Sequence, residues 1–385
     1  MILHSYVRYR MRYLIIGLLF VFSNCLRVAN CSENMMKKTV RTMMRAVQVS
    51  KFGGPSVLEV QSNVPVPTPG PNDVLVNVKC AGINPVETYM RQGSYARLPP
   101  LPWTPGNDGA GIVAAVGANV TDTEHLKVGQ RVWIAGSATG TYAEYCLCTE
   151  SQVNPLPDHV SFSQGAAVFV AFKTAYRALF TRIQTKAGSN VFVHGGSGAV
   201  GTAAVQLAVA HGCKVTSTAG TDNGMAILKA LGAKAYNHRK DNYVEEILKD
   251  HPEKFDVVIE MLANVNLDSD MDLIAYRGAI VVVGNRGTID NINPRKLMMT
   301  EGSIVGLLAA PEEELSAAIA GINGGLRSGA LKPIVGPVFE LDDAPQAHVE
   351  VIEHKNGSSG KIVLSMMSAE ELEKDRAIND MACKL

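Results

Sequence analysis

The chain has 385 residues, of which 46% are hydrophobic and 19% charged, and its 36 basic and 36 acidic side chains cancel to a net charge of +0. That length exceeds a single core and predicts at least two domains, and the composition is globular rather than disordered. A balanced charge gives no general drive toward nucleic acid or an anionic membrane surface.

Residues 1–43 read as an extension. Arg8, Arg10 and Arg12 precede the apolar run Leu14 to Phe22, and the first acidic residue is Glu33. This is the layout of a secretory signal, a signal anchor or an organelle presequence. The run is too short to span a bilayer by itself. A start of translation at Met35, Met43 or Met44 is the alternative reading.

From 44 to 165 the pattern is short strands cut by Gly and Pro, at Ala46 to Ser50, Val74 to Lys79, Gly111 to Val116, Arg131 to Ile134 and Tyr142 to Leu147. A β-rich first domain is expected. Helical composition begins near Phe162, and strands then alternate with helices through 309: Asn190 to His194, Lys214 to Thr218, Phe255 to Glu260, Ala279 to Gly284 and Ser303 to Leu307 are the strands. Such alternation implies a parallel sheet covered on both faces. A helix is expected over Glu312 to Gly325. Residues 310–365, β-like from Lys332 to Leu364, are expected to pack back onto the first domain, and 366–385 form a charged tail. Its last three residues, Cys383-Lys384-Leu385, are similar to a peroxisomal address.

The seven cysteines are scattered, with no C-x-x-C pair, which argues against a structural zinc lobe. Cys146 and Cys148 are expected on opposite faces of a strand, as buried thiols rather than a ligand pair. Reduced cysteines suit a reducing compartment, and a cytoplasmic location is the primary expectation.

The chemistry is concentrated in Asn190 to Gly201, NVFVHGGSGAVG. An apolar strand runs into Gly196, Gly198 and Gly201, spaced G-x-G-x-x-G, and a helix follows. Glycine there lets the backbone approach a pyrophosphate and turns the helix amides toward its charge. The next strand ends in Ser217-Thr218-Ala219-Gly220-Thr221, without the acid that binds a ribose hydroxyl. Asp222 reads as a helix N-cap. Small hydroxyl residues, with His238 and Arg239 after the following strand, suit a 2′-phosphate, so NADPH is the expected cofactor.

Several longer pieces, including Phe52-Gly53-Gly54-Pro55, Ala81 to Tyr89, Thr174 to Leu179, Glu260 to Leu267 and Val283 to Thr288, resemble the zinc-independent quinone oxidoreductases of the medium-chain dehydrogenase/reductase superfamily, most of all the zeta-crystallins. The resemblance covers Met44 to Leu364. It implies an α/β protein in which a GroES-like β-rich catalytic domain (44–165, completed by 310–365) packs on a Rossmann doubly wound parallel-sheet domain (166–309) that binds NADPH, with quinone as the acceptor. It further implies cofactor contacts from Tyr89, from Ser197, Gly198, Ala199 and Val200, from Gly220, His238 and Arg239, and from Asn264, Val283, Gly284, Asn285, Gly306, Leu307 and Leu308. Tyr89 and Asn84 are the candidate polar groups at the reacting end.

Zinc-dependent relatives carry a cysteine ligand and a His-Glu pair where this chain has Asn84 and Asn107-Asp108, so no metal is expected. Ala171-Phe172-Lys173 also departs from the Pro-Tyr-Phe of the zeta-crystallins, near the expected substrate cleft. Homodimers or homotetramers are implied. Reduction of an activated carbon–carbon double bond, as in enone or enoyl-thioester reductases, is the alternative reaction. A zeta-crystallin-like structural or RNA-binding role is the alternative of another class, with RNA as a secondary ligand.

Overall fold

The apolar runs of the first part close into antiparallel sheets because each is short and bounded by turn residues. The computed structural model describes residues 42–383 apart from 123, 290, 291, 309, 310 and 356. The expected targeting segment and the peroxisomal-like Lys384-Leu385 end therefore lie outside the described residues. Strands β1 (Met43–Gln48) and β2 (Glu59–Pro65) pair with each other. There follow β3 (Asp73–Gly82), helix α1 (Pro85–Gln92), β4 (Asp108–Val116), β5 (Arg131–Ala135), β6 (Tyr145–Thr149) and β7 (Val153–Pro155). Helices α2 (Phe162–Gly165) and α3 (Phe169–Tyr176) come next, and α3 continues as a π-helical stretch, Arg177–Arg182.

The alternating part comprises β8 (Asn190–Val193), α4 (Ala199–Ala210), β9 (Lys214–Ala219), α5 (Asp222–Ala230), β10 (Lys234–Asn237), α6 (Tyr243–Asp250), β11 (Phe255–Glu260), α7 (Ala263–Leu273), β12 (Ile274–Val282), α8 (Pro294–Thr300), β13 (Ser303–Gly306) and α9 (Glu312–Ser328). Its six strands are parallel in the order β10-β9-β8-β11-β12-β13, so the direction of winding reverses between β8 and β11. A doubly wound sheet opens its ligand crevice at that switch point, beyond the carboxyl ends of the strands.

The chain then returns through β14 (Val335–Glu340), α10 (Ala344–Glu353) and β15 (Lys361–Ser365), and ends in α11 (Ala369–Cys383). β15 pairs antiparallel with β3, which completes a seven-stranded sheet in the order β14-β15-β3-β4-β5-β7, with β6 also on β3. Helix α9 meets both parts: Ile322 and Leu326 share one apolar cluster with Val191 and Ala203 of the alternating part and with Ala110 and Leu156 of the first, and Asn323 accepts from Trp133 Nε1 and donates to Asn154 Oδ1, both at 3.0 Å.

Three local expectations need correction. Residues 332–364 contain the helix α10, whose Pro345 lies in the first turn, where a missing N–H costs nothing. The N-cap of α5 is Thr221, whose hydroxyl accepts from the Gly224 amide at 3.1 Å, and Asp222 is the first helical residue. Cys146 and Cys148 share one face of β6, as residues two apart on a strand must, and their sulfurs are 3.8 Å apart in the apolar core. The charged tail is docked rather than free: buried Asp375 on α11 accepts the Phe162 and Ser163 amides at 2.6 and 3.1 Å and the Ser163 hydroxyl at 2.6 Å.

Candidate functional site

Every residue expected around the coenzyme lies past the carboxyl end of a parallel strand, except Tyr89. Ser197 to Val200 follow β8, Gly220 follows β9, His238 and Arg239 follow β10, and Asn264 follows β11. Val283, Gly284 and Asn285 follow β12, and Gly306, Leu307 and Leu308 end β13 or follow it. One crevice edge thus collects segments that the sequence spreads over more than a hundred positions.

The glycine turn has the shape that a pyrophosphate needs. A Cβ at Gly196 would lie 1.8 Å from Ser217 Oγ, and one at Gly201 would lie 2.5 Å from the Gly195 carbonyl. Gly195 itself has φ +55°, a left-handed conformation that favours glycine. The amides at the start of α4 lie beyond this turn, where a helix N-terminus favours negative charge. At the adenosine end, a Cβ at Gly220 would meet His238 Nε2 at 2.7 Å and Arg239 Nε at 2.9 Å. These two side chains therefore stand over the end of β9, where the acid of an NAD site is missing.

The return segment before β15 closes the turn from the other side. The Gly360 amide donates to the Ser197 carbonyl at 2.7 Å, and Ser358 Oγ lies 2.9 Å from where a Cβ of Gly198 would be. Ser358 is a neighbour of the pyrophosphate turn that spacing alone could not reveal. Below the turn, His194 Nε2 lies 2.6 Å from Asp270 Oδ1 and 3.5 Å from Glu260 Oε2, all buried. Burial raises both carboxyls to about 7, with the neighbouring acid adding to the rise at Glu260. Glu260 also accepts from the Leu262 amide and, at 3.1 Å, from Asn266, and so shapes the turn that presents Asn264.

Asn84 is the N-cap of α1 and 4% exposed. Its Nδ2 donates to Glu87 Oε1 at 3.2 Å and to Asp108 Oδ2 at 3.1 Å, and its Oδ1 accepts from the Lys361 ammonium. Both amide protons are engaged inside the protein. Asn84 therefore serves as a bonded support of the buried centre and has no unengaged amide proton. Tyr89, one turn further along α1, is half-buried and its hydroxyl makes no hydrogen bond among the described residues.

Around Asn84 a closed polar centre has formed. Asp108 accepts the Val170 amide at 2.8 Å through Oδ1 and pairs with Lys361 through Oδ2, both side chains being almost fully buried. Five donors converge on Glu87: the amide and Nδ2 of Asn84, the amide and Nδ2 of Asn107, and the Tyr142 hydroxyl at 2.9 Å. Burial and the Asp108 charge push the Glu87 carboxyl up, yet so many donors require an acceptor-only carboxylate. Arg91 Nη1 lies 3.3 Å from His348 Nδ1, and guanidinium has no lone pair to offer, so Nδ1 accepts and Nε2 carries the proton that faces Tyr142 at 3.2 Å. Burial, and then Arg91, lower His348 to about 3, which keeps it neutral.

Glu87 and Asp108 thus share the Lys361 charge, while Arg91 is joined to Glu87 only through His348 and Tyr142. A zinc ion needs Cys, His or carboxylate donors with free lone pairs. Here the donor set is Asn84, Asn107 and an Asp108 already paired with an ammonium, so the residues do not fit zinc. No step is routed through a metal.

Comparison with known proteins agrees with this architecture. Residues 70–158 match the alcohol dehydrogenase GroES-like domain family, and residues 199–323 match the zinc-binding dehydrogenase family, named for a metal that the centre here does not fit. The quinone oxidoreductase of Homo sapiens is 46% identical over 330 residues, covering 85% of this chain and 99% of that protein. A solved NAD-dependent alcohol dehydrogenase superposes with a TM-score of 0.77 at 29% identity, over 84% of this chain and 100% of that one. The Escherichia coli quinone oxidoreductase, solved in complex with NADPH, superposes with a TM-score of 0.72 at 31% identity, over 83% of this chain and 99% of that one. The chain belongs to the quinone oxidoreductase family of the medium-chain dehydrogenase/reductase superfamily, the family of the zeta-crystallins.

Proposed function

We propose that this protein is an NADPH-dependent quinone reductase that works without zinc. The observation that carries the reading is the crevice edge: a glycine cradle that a Cβ would fill, an acid-free β9 end under His238 and Arg239, and a metal-type centre closed by Lys361. Bound there, NADPH supplies a hydride. The chain's own residues hold and orient the two reactants and exclude water, which suffices for an acceptor as electrophilic as a quinone. Ser197 to Val200 would hold the pyrophosphate, His238 and Arg239 the 2′-phosphate, and Asn264, Val283 to Asn285 and Gly306 to Leu308 the nicotinamide half, with Tyr89 facing it.

The test is anaerobic stopped-flow oxidation of NADPH and NADH by protein starting at Met44, against quinones and enones. Faster turnover with NADPH and quinones is expected. Oxidation of neither coenzyme by any acceptor would remove the enzyme reading, and a preference for enones would transfer it to the double-bond reductases.

We also propose a homo-oligomer formed along β13. Among the described strands β13 pairs only with β12, and Ile304, Met298 and Met299 beside it are exposed. An open apolar edge strand is a site for pairing with a second copy. Light scattering that finds a monomer at micromolar concentration would exclude it. A reducing, cytoplasmic compartment completes the proposal, supported by the free thiols of Cys80, Cys146, Cys148 and Cys213 among the described residues. Imaging of the full chain with a C-terminally placed internal tag, and N-terminal sequencing of the mature protein, test that assignment.

A further inference from the structure

Lys173 has no part in the reading above. It stands on α3 between Val170 and Arg177, at helical spacings that put all three on one face. The Val170 amide holds Asp108 at 2.8 Å, at the closed polar centre. Arg177 donates to the Leu308 carbonyl at 3.1 Å, beyond β13 on the expected nicotinamide side. Lys173 therefore lies on the strip of α3 that runs from the catalytic centre to the coenzyme crevice.

Its ammonium has no ion-pair or hydrogen-bond partner among the described residues; its contact is the face of Phe169, at 4.4 Å from the ring centroid. The charged groups that act on it are Asp108 from β4, Arg177 on its own helix, whose own partner is Glu314 on α9, and Lys361 from β15. Asp108 is committed to Lys361 and Asn84, and Glu314 is held by Arg177 at 2.6 Å. Burial, reinforced by the Arg177 and Lys361 charges, lowers the Lys173 pKa while Asp108 opposes the shift. A half-buried ammonium without a partner is costly unless something meets it.

We propose that Lys173 selects acceptors that carry an anionic oxygen, such as a carboxylate, a sulfonate or an ionised hydroxyl on the quinone ring. This rests on the quinone reductase function. The ammonium supplies a charge-assisted hydrogen bond at one end of the acceptor while the ring faces the nicotinamide side.

The experiment compares kcat/KM for 1,4-naphthoquinone and its 2-sulfonate at saturating NADPH in the wild type, Lys173→Met and Lys173→Arg. A charge-assisted hydrogen bond contributes roughly 1.5–3 kcal/mol, so the sulfonate-to-neutral ratio should fall about 10- to 100-fold in Lys173→Met and be kept in Lys173→Arg. A ratio, measured on one protein sample, is unaffected by partial unfolding. An unchanged ratio in Lys173→Met overturns the inference while leaving quinone reduction intact, whereas a wild type that reduces neither quinone fails at the underlying function.

Discussion

Replacing Lys361 by methionine isolates the ion that closes the polar centre. Its side chain is 2% exposed, it bonds Asp108 and Asn84, and Asp108 and Glu87 are wholly buried. Without it neither buried carboxylate is bonded to a cation among the described residues, since the Arg91 guanidinium is directed to the Gly53 carbonyl and to His348. Breaking a buried pair by removing one partner costs about 3–5 kcal/mol, because a charge is left uncompensated. At roughly 2.1 cal/mol/K of unfolding entropy per residue, a protein of this size shifts by about 1.3 °C per kcal/mol, so the melting temperature should fall by about 4–7 °C.

Glu87, which burial and the Asp108 charge push up and the Lys361 charge pulls down, loses that pull in the variant and can take up a proton. Its folded-state pKa then rises further above the unfolded value, so the variant keeps stability below the unfolded pKa and loses it as pH rises. The deficit of Lys361→Met against wild type should therefore be smaller at pH 5 than at pH 8 in thermal or urea unfolding. Adding Asp108→Asn removes the second charge, and the double variant should regain part of the loss. A single variant as stable as wild type, or a double variant no better than the single, would refute the account of a charge-balanced centre.

Gly196→Ala should lower both stability and NADPH affinity, since its Cβ would collide with Ser217 Oγ and overpacking costs about 1–3 kcal/mol; Gly54→Ala, with nothing within 4 Å, is the matched control in the same melting and titration assays. Arg239→Ala should raise KM for NADPH about tenfold and leave NADH nearly unchanged, as expected for loss of one exposed charged contact to a 2′-phosphate; equal loss with both coenzymes would place Arg239 elsewhere. Burial raises Glu260 and Asp270 to about 7, above their unfolded values, so their contribution is present in acid and is lost as pH climbs from about 4.5 through 7. Urea unfolding at pH 5, 6, 7 and 8 should show a flatter decline for Asp270→Asn than for wild type, and identical slopes would count against those protons.

The parts of the fold that were legible are those where apolar runs meet unambiguous punctuation. β8, β9 and β11 are largely apolar or β-branched runs buried on both faces, and the exposed edge strand β13 is found by the same run of β-branched residues closed by Gly306. Helix α10 was hidden because Pro345 reads as a breaker, although in a first helical turn proline is well placed. Helix α9 is amphipathic, and its pattern shows that a face is buried but not that the face meets both parts of the fold. Of the site, the glycine cradle and the missing acid could be read locally. The bond of Lys361 to Asn84 and the approach of Ser358 to Gly198 join residues at opposite ends of the chain, and no local spacing encodes them.

The same closure narrows what can meet the acceptor. A residue recognises a substrate with a polar atom that the folded protein has left unengaged, since a buried donor already bonded would have to break one interaction to make another. Asn84 and Asp108 fail that criterion through Lys361, and so do Glu87 through its five donors and Tyr142 through Glu87 and His348. Tyr89 and Lys173 meet it, since among the described residues neither the hydroxyl on α1 nor the ammonium on α3 has a hydrogen-bond or ion-pair partner. The two flank the Asp108 centre from different helices, α1 beginning at its Asn84 cap and α3 holding Asp108 through Val170. If Lys361 makes the centre rigid and chemically silent, acceptor choice passes to this pair. A double change, Tyr89→Phe with Lys173→Met, should then alter the ranking of quinones far more than either coenzyme's affinity, and a ranking that survives it would show that shape alone selects the acceptor.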